Sequence, residues 1–374
     1  MQLAPFKLER YFAKYEFKAK YLLSPSDCES LSMHELLEMA EPASLALWND
    51  LRLGYTESPG HPALRTEIAR MYKSVSADSV VVAAPEEAVL IALNALLKPG
   101  DRVVCLAPAY QSLYAIPRSI GCDVTMWRLE LGANGWRLDL DQLEALLTER
   151  TRLVVLNFPH NPTGYLPSRD ELDTIVALAR KRGAYIFSDE MYRLLEYDSA
   201  RRLPPMCDLY EKGISLSGLS KTFALPGLRL GWLVAQEPAL VEQWLGFKDY
   251  TTICNSAPSE ILGIIALRAK EKIVERNLGI IRENVRIAGE FFAAHSERFV
   301  WFKPQAGSVA FPEWTGGSPV EQFCQAAVDQ QGVMIVPGSI FDFPGNHFRL
   351  GLGRRNFAQA LEGVGVYVQG LDIG

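Results

Sequence analysis

The chain has no CxxC, HxxxH or HExxH pair, no apolar run of transmembrane length, no internal repeat and no block of like charge. Each absence closes a route. The six cysteines, at 28, 105, 122, 207, 254 and 324, mostly lie inside apolar runs, which suits free buried thiols in a reducing compartment better than a disulfide framework. The histidines, at 34, 61, 160, 295 and 347, lack metal-ligand spacing, so no metal site is expected. A formal net charge of −6 offers no basic field to nucleic acid or to an anionic membrane. A membrane-crossing helix needs roughly 20 apolar residues in a row, and none is present. The stretch Phe6-Lys-Leu-Glu-Arg-Tyr-Phe-Ala-Lys-Tyr15 is charged throughout, unlike the core of a secretory leader. The expected compartment is the cytoplasm.

What remains is an ordinary globular composition, 48% apolar and 22% charged, over 374 residues. That length predicts a large body and a smaller one. Residues 5–18 have the pattern of an aromatic-rich amphipathic helix. From about residue 79, short apolar runs alternate with helical stretches. The runs 79–84, 102–106, 123–127, 153–156, 184–188, 214–217 and 228–234 read as buried strands. The segments 85–97, 110–118, 139–147, 168–181 and 238–247 read as helices. Strands this continuously apolar, alternating with helices, predict a mostly parallel sheet covered on both faces. A long helical stretch follows over 258–292, then short strands at 309–311, 333–336 and 347–350 with two helices, the pattern of a smaller α+β body.

Ligands of such sheets gather at the C-terminal strand ends, so the polar punctuation there is where chemistry is expected. Four segments follow predicted strands: Asn157-Phe-Pro-His-Asn-Pro-Thr-Gly164, Ser188-Asp-Glu-Met-Tyr192, Ser217-Gly-Leu-Ser-Lys-Thr222 and Pro226-Gly-Leu-Arg-Leu-Gly-Trp232. Taken singly, each has a plain reading as a turn, a cap or a solvated charge. Their order and spacing together are far more specific. Through them the sequence resembles the class I/II aminotransferases of pyridoxal-5'-phosphate (PLP) fold type I, over roughly residues 50–350.

The resemblance implies an α/β fold: a large domain with a mostly parallel mixed sheet sandwiched by helices, plus a smaller α+β domain. It implies an N-terminal arm over 1–35 that joins the small domain, a PLP-binding domain over 36–270, and a small domain over 271–374 that begins within a long connecting helix. Lys221 is expected to hold the cofactor as a Schiff base and then to shuttle a proton. Asp189 is expected on the pyridine nitrogen, Asn161 and Tyr192 on the phenolic oxygen, and Tyr110 stacked on the ring. Arg229, Ser220 and the helix start at Glu86 and Glu87 are expected at the phosphate. Tyr55 is expected to reach the phosphate of a neighbouring subunit, which implies a homodimer with shared sites. Arg349, with Asn161, is expected to clamp the substrate's α-carboxylate.

Three departures stand out. Where the family usually has small residues before the phosphate-facing helix, this chain has Ala84-Pro-Glu-Glu87, and proline brings no N–H. Where the family often has serine three residues before the lysine, this chain has Gly218. The segment Leu23-Ser-Pro-Ser-Asp-Cys-Glu-Ser30 replaces the family's usual glycine-bearing stretch. That segment, with Leu8-Glu-Arg-Tyr-Phe12, Phe158-Pro-His-Asn161 and Pro337-Gly-Ser-Ile-Phe341, is similar to the capreomycidine synthase subgroup, which cyclises a hydroxylated arginine.

The resemblance therefore implies an aminotransferase acting on an amino acid and a 2-oxo acid. A lyase, replacing cyclase or decarboxylase on the same fold remains an alternative, and a non-catalytic PLP-sensing domain a remote one. Ser26, Asp27 and Glu29 are expected to face the substrate side chain, favouring neutral or basic donors. Alternatively the two carboxylates cap the following helix.

Overall fold

The computed structural model describes residues 3–133 and 135–371; residues 1, 2, 134 and 372–374, which fall in the expected arm, PLP-binding domain and small domain, lie outside the described residues. The apolar runs become seven strands of one sheet: β1 Val80–Ala83, β2 Arg102–Ala107, β3 Asp123–Arg128, β4 Thr151–Asn157, β5 Tyr185–Asp189, β6 Gly213–Gly218 and β7 Gly231–Ala235. Their order is β1-β7-β6-β5-β4-β2-β3. All neighbours run parallel except β7, which is antiparallel to both β1 and β6. Successive side chains point to opposite faces. Val81, Val103 and Phe187 therefore pack on one side with Trp244, while Val104, Val154 and Ile186 pack on the other with Trp127. Full burial of each such side chain contributes about 1.5–3 kcal/mol.

Register places the chemistry. Asn157 pairs with Asp189, and Asp189 with Leu216, so β4 and β5 finish level at their C-terminal ends while β6 runs on to Gly218. The chain departs in opposite directions from the neighbours β2 and β4, which opens a crevice between the loops that follow them. The Asn161 turn hangs over it. At Gly164 (φ 69°) an added Cβ would lie 2.4 Å from Pro304 Cβ and 2.6 Å from the Val309 carbonyl, so only glycine lets this turn meet the smaller body.

The smaller body is built on helix Lys270–Ala294 with helices Val320–Gln331 and Phe357–Leu371 and the short strands Val309–Ala310, Val336–Pro337 and Phe348–Gly351. Trp314 stacks on Phe323 at 4.4 Å in its core. Tyr21–Leu22 pairs parallel with Val333–Met334, which ties the N-terminal segment to this body. Helix α1, Lys7–Tyr15, packs Leu8 and Tyr15 against Phe311, Met334 and Phe341. It also reaches the larger body, where the Lys7 amide donates to Gln111 Oε1 (2.8 Å) and Gln111 Nε2 donates to the Pro5 carbonyl (2.9 Å).

Several boundaries differ from the sequence pattern. The single helix over 258–292 is two, Ala257–Arg268 and Lys270–Ala294, because Ala269 (φ −97°, ψ 14°) leaves the helical region. Arg268 beside it is held by Glu67 (2.8 Å) and Glu41 (2.6 Å). The strand over 228–234 begins only at Gly231, since Pro226–Leu228 forms a 3₁₀ turn and Arg229 is left-handed (φ 51°). Helices Met33–Glu38, Pro42–Asn49 and Pro62–Ala69 and the hairpin Glu130–Gly132/Gly135–Arg137 were not legible in the pattern. The cysteines are free. Among the described residues, no helix is long and apolar enough to cross a membrane.

Candidate active site

The crevice is a cavity of about 590 Å³ between the sheet's C-terminal edge and α1. Asp189, the last residue of β5, lies on its floor and is buried. Its Oδ1 accepts the Met191 amide (3.1 Å), and its carbonyl accepts Asn157 Nδ2 (2.9 Å) and the Phe158 amide (3.2 Å). Burial pushes the Asp189 carboxyl up to about 6, while the Met191 amide and the Lys221 charge hold it down. Asn157 Oδ1 in turn accepts the Asn161 amide (2.8 Å), so one buried asparagine fixes both Asp189 and Asn161.

Lys221 follows β6, and its Nζ donates to Ser26 Oγ (2.9 Å). Burial pulls its proton affinity below the ordinary lysine range; Asp27 opposes the shift and Arg349 adds to it. Thr222 beside it donates toward the carbonyls of Arg193 (2.8 Å) and Met191 (3.0 Å), joining the lysine segment to the Asp189 segment. Tyr192 is buried on the same floor, its phenol pushed up by burial and held back by Arg349 and Ser26.

At one end of the cavity stands Arg229, donating to the Pro226 carbonyl (2.9 Å) and toward Ser220 Oγ (3.5 Å). Opposite is the start of α2, Pro85–Leu96. Its first intrahelical bond runs from the Ala88 amide to the Ala84 carbonyl, which leaves the Glu86 and Glu87 amides ahead of the ladder. Glu86 points its carboxyl into the cavity, where Ser112 Oγ donates to Oε2 (3.2 Å). Burial, with the like charges of Glu9 and Asp189, pushes that carboxyl up to about 7 against Ser112 and Arg229. The Glu87 side chain turns out of the cavity, its carboxylate accepting the Thr251 and Thr252 hydroxyls (2.5 and 2.7 Å), so that only the Glu87 amide is left for the expected place at the phosphate. Gly218 is also explained. An added Cβ would lie 2.9 Å from Gly231 Cα and 3.0 Å from the Leu230 carbonyl, so the close β6–β7 approach excludes serine there.

Arg349 is 1% exposed; Nε donates to the Ser24 carbonyl (3.0 Å), one terminal nitrogen donates toward Asn161 Oδ1 (3.4 Å), and Phe341 lies 5.3 Å from the guanidinium. Asp27 lines the cavity but is paired with Arg354, one terminal nitrogen of which donates to both carboxylate oxygens (2.9 and 3.0 Å). Glu29 accepts the Arg355 amide (3.3 Å) outside the cavity, and the helix after it is capped by Ser32 with Glu35, so neither expected role of Glu29 is found. The roof carboxylates are instead Glu9 and Glu16 of α1 and its C-cap. Tyr110 donates to Glu9 Oε1 (3.1 Å) beneath Phe6, whose ring is 5.0 Å away. Burial raises Glu16, with Asp27 and Glu9 adding and Arg354 opposing. Sequence reasoning found the helix but not these residues. The signal was present, since Glu9, Phe12 and Glu16 share one helical face. Tyr55 stands apart, 93% exposed on the outer surface near Cys254 and Asn255.

The residues present fit PLP. A buried carboxylate with a raised proton affinity matches a cationic ring nitrogen, a lysine with a lowered one matches an aldehyde, and Arg229, Ser220 and the free amides of α2 match a phosphate.

Comparison with known proteins agrees with this donor set. A family model for aminotransferase class I and II matches residues 20–361. Capreomycidine synthase of Streptomyces vinaceus is 31% identical over 97% of this chain and 94% of its own. The crystal structure of a PLP-dependent aminotransferase from Streptococcus suis superposes with a TM-score of 0.92 at 31% identity, covering 100% of this chain and 98% of the other. That of the PLP-dependent cyclase OrfR gives 0.91 at 30% identity, covering 99% and 98%.

Proposed function

This chain belongs to the class I and II aminotransferases, and from that premise we propose that it moves the α-amino group of a neutral or basic amino acid to a 2-oxo acid. Its cofactor is pyridoxal 5'-phosphate. When bound, the cofactor takes up the electron pair left at the amino acid's α-carbon.

The chain's own residues supply the rest. Asp189 keeps a positive charge on the ring nitrogen, as its burial supports. Asn161 and Tyr192 would donate to the phenolic oxygen, and Tyr110 would pack on the ring. Arg229 and Ser220 would hold the phosphate with the amides of α2. Lys221 would hold the cofactor through Nζ and, when that nitrogen is free, would take the proton from the substrate's α-carbon and deliver it back to the bound substrate–cofactor pair. Its lowered proton affinity suits a base at neutral pH. Arg349 takes the α-carboxylate through its planar fork and so fixes the α C–H bond. The observation that carries this reading is the meeting of Asn161, Asp189, Lys221 and Arg349 in one cavity.

The roof supports the side-chain preference. Asp27 is already paired with Arg354, which leaves Glu9 and Glu16 to face the substrate. Two carboxylates there repel a dicarboxylate and suit an ammonium or guanidinium. The active unit is a homodimer in which Tyr55 reaches the partner's phosphate; its outward exposure supports that role.

The test supplies the chain with 2-oxoglutarate and ornithine, arginine, phenylalanine or aspartate. Equal yields of glutamate and the donor's 2-oxo acid are expected, with kcat/KM lowest for aspartate. A preference for aspartate overturns the side-chain reading. A replacing cyclisation is the second reading, favoured by the similarity to a synthase and a cyclase along nearly the whole chain. It is distinguished by a cyclised product formed without glutamate.

A further inference from the structure

Glu86 is the anomaly of this cavity: a carboxyl at the start of α2, across from Arg229, at the end where a phosphate is to be held. The charged and titratable groups around it are Glu9 from α1, Tyr110 ahead of the helix bearing Ser112, Asp189 from β5, Lys221 after β6, and Arg229 before β7. Its helix neighbour Glu87 faces away, toward Thr251, Thr252 and Lys248. An ionised Glu86 and a phosphate dianion in one enclosed space repel each other. A neutral Glu86 donates a hydrogen bond instead. Among the described residues, Ser112 is the side chain that hydrogen-bonds the carboxyl, and its O–H favours the ionised form.

We propose that Glu86 makes retention of the phosphorylated cofactor proton-linked: the neutral carboxyl admits the phosphate, its ionisation weakens the hold, and Ser112 sets the pH at which this happens. The proposal rests on the cofactor reading above. The sign follows from linkage. The group is raised to about 7 in the empty cavity, so binding of a phosphate ester takes up a proton near neutrality. Affinity is then full below that point and falls by up to about tenfold per pH unit above it. The ligand's own ionisation is the same for every variant and cancels in comparison.

The experiment is calorimetric titration of the full-length chain, freed of cofactor, with pyridoxamine 5'-phosphate, which forms no covalent link to Lys221. Pyridoxamine without phosphate is the control. From about pH 6 to about pH 9 the parent is expected to lose about tenfold more affinity than Glu86→Gln. Buffers of different ionisation enthalpy should show more proton uptake by the parent than by Glu86→Gln. Ser112→Ala, which removes the donor to the carboxylate, should move the parent's loss of affinity to higher pH. Pyridoxamine should show none of these differences. Parallel pH profiles for parent and Glu86→Gln overturn the proposal, as does loss of binding in Glu86→Gln or an equal effect on pyridoxamine. Failure of the parent to bind pyridoxamine 5'-phosphate at any pH overturns the cofactor reading, and this proposal with it.

Discussion

On the floor of the cavity, Asn161, Asp189, Ser220 and Lys221 hang from the ends of strands locked in register. On its roof, Glu9 rides a nine-residue helix with Glu16 at its end, and Asp27 sits on a loop tied down by its ion pair with Arg354 and by side chains such as Ser308, which donates to the Ser26 carbonyl. The floor is fixed by main-chain ladders and by buried links such as Asn157 and Thr222. The roof is fixed at its rim by side chains, among them the Lys7–Asp342 pair and the Tyr110–Glu9 bond. The difference separates two tasks. Chemistry common to every donor needs groups held to within about 0.5 Å, and rigid strand ends provide that. Choosing among donors needs only a field and a shape, which a helix laid across the opening supplies.

This contrast breaks if floor and roof substitutions behave alike. Lys221→Ala removes the base, and kcat is expected to fall about ten-thousandfold, equally for ornithine and phenylalanine. Loss confined to one donor would move Lys221 out of the shared machinery. Asp189→Asn is expected to lower kcat by about a hundredfold to a thousandfold, again for all donors.

Asp189→Asn also has a signature in stability. The folded carboxyl titrates at about 6, above the ordinary aspartate range. The proton it binds in that window favours the folded state, so its contribution is full below the unfolded value and lost as pH rises through about 6. The cofactor-free Asp189→Asn variant, neutral at this position throughout, is therefore expected to exceed the parent by about 3 kcal/mol above that pH, with the gap closing as pH falls toward about 4. Urea midpoints across pH check this, and a gap that widens toward acid would contradict it.

Roof changes are smaller and selective. Glu16→Gln is expected to lower kcat/KM about tenfold for ornithine and less than about twofold for phenylalanine. Equal losses would merge roof with floor. The smallest catalytic effect is expected from Gly218→Ser, which restores the family's usual residue. It should cost about 1–3 kcal/mol of stability through overpacking against Gly231 and leave cofactor affinity unchanged. Tighter binding in that variant, followed by calorimetry, would show that the cavity accepts the serine after all.

The floor was legible in the sequence because it is local. Each of its residues follows an apolar run within a few positions, and strand register does the assembling. Of the roof, the helix and the Ser26–Asp27 segment were legible but not Glu9 and Glu16 or how the parts join, because the roof is assembled by distant pairings. Tyr21–Leu22 meets Val333–Met334 through two-residue strands too short to announce themselves, and Asp27 finds Arg354 only in three dimensions. The break at Ala269 left no mark either, since apolar periodicity continues on both sides of it. Which of the two glutamates turns away was not legible either: adjacent positions on a helix point some ~100° apart, so Glu86 enters the cavity and Glu87 does not.

The most direct test of the central claim is borohydride reduction of the cofactor-loaded protein, followed by peptide mass spectrometry. The pyridoxyl group is expected on the peptide carrying Ser220-Lys221-Thr222, on Lys221 and on no other lysine. A reduced adduct on a different lysine, or none from a protein that has bound PLP, would contradict it.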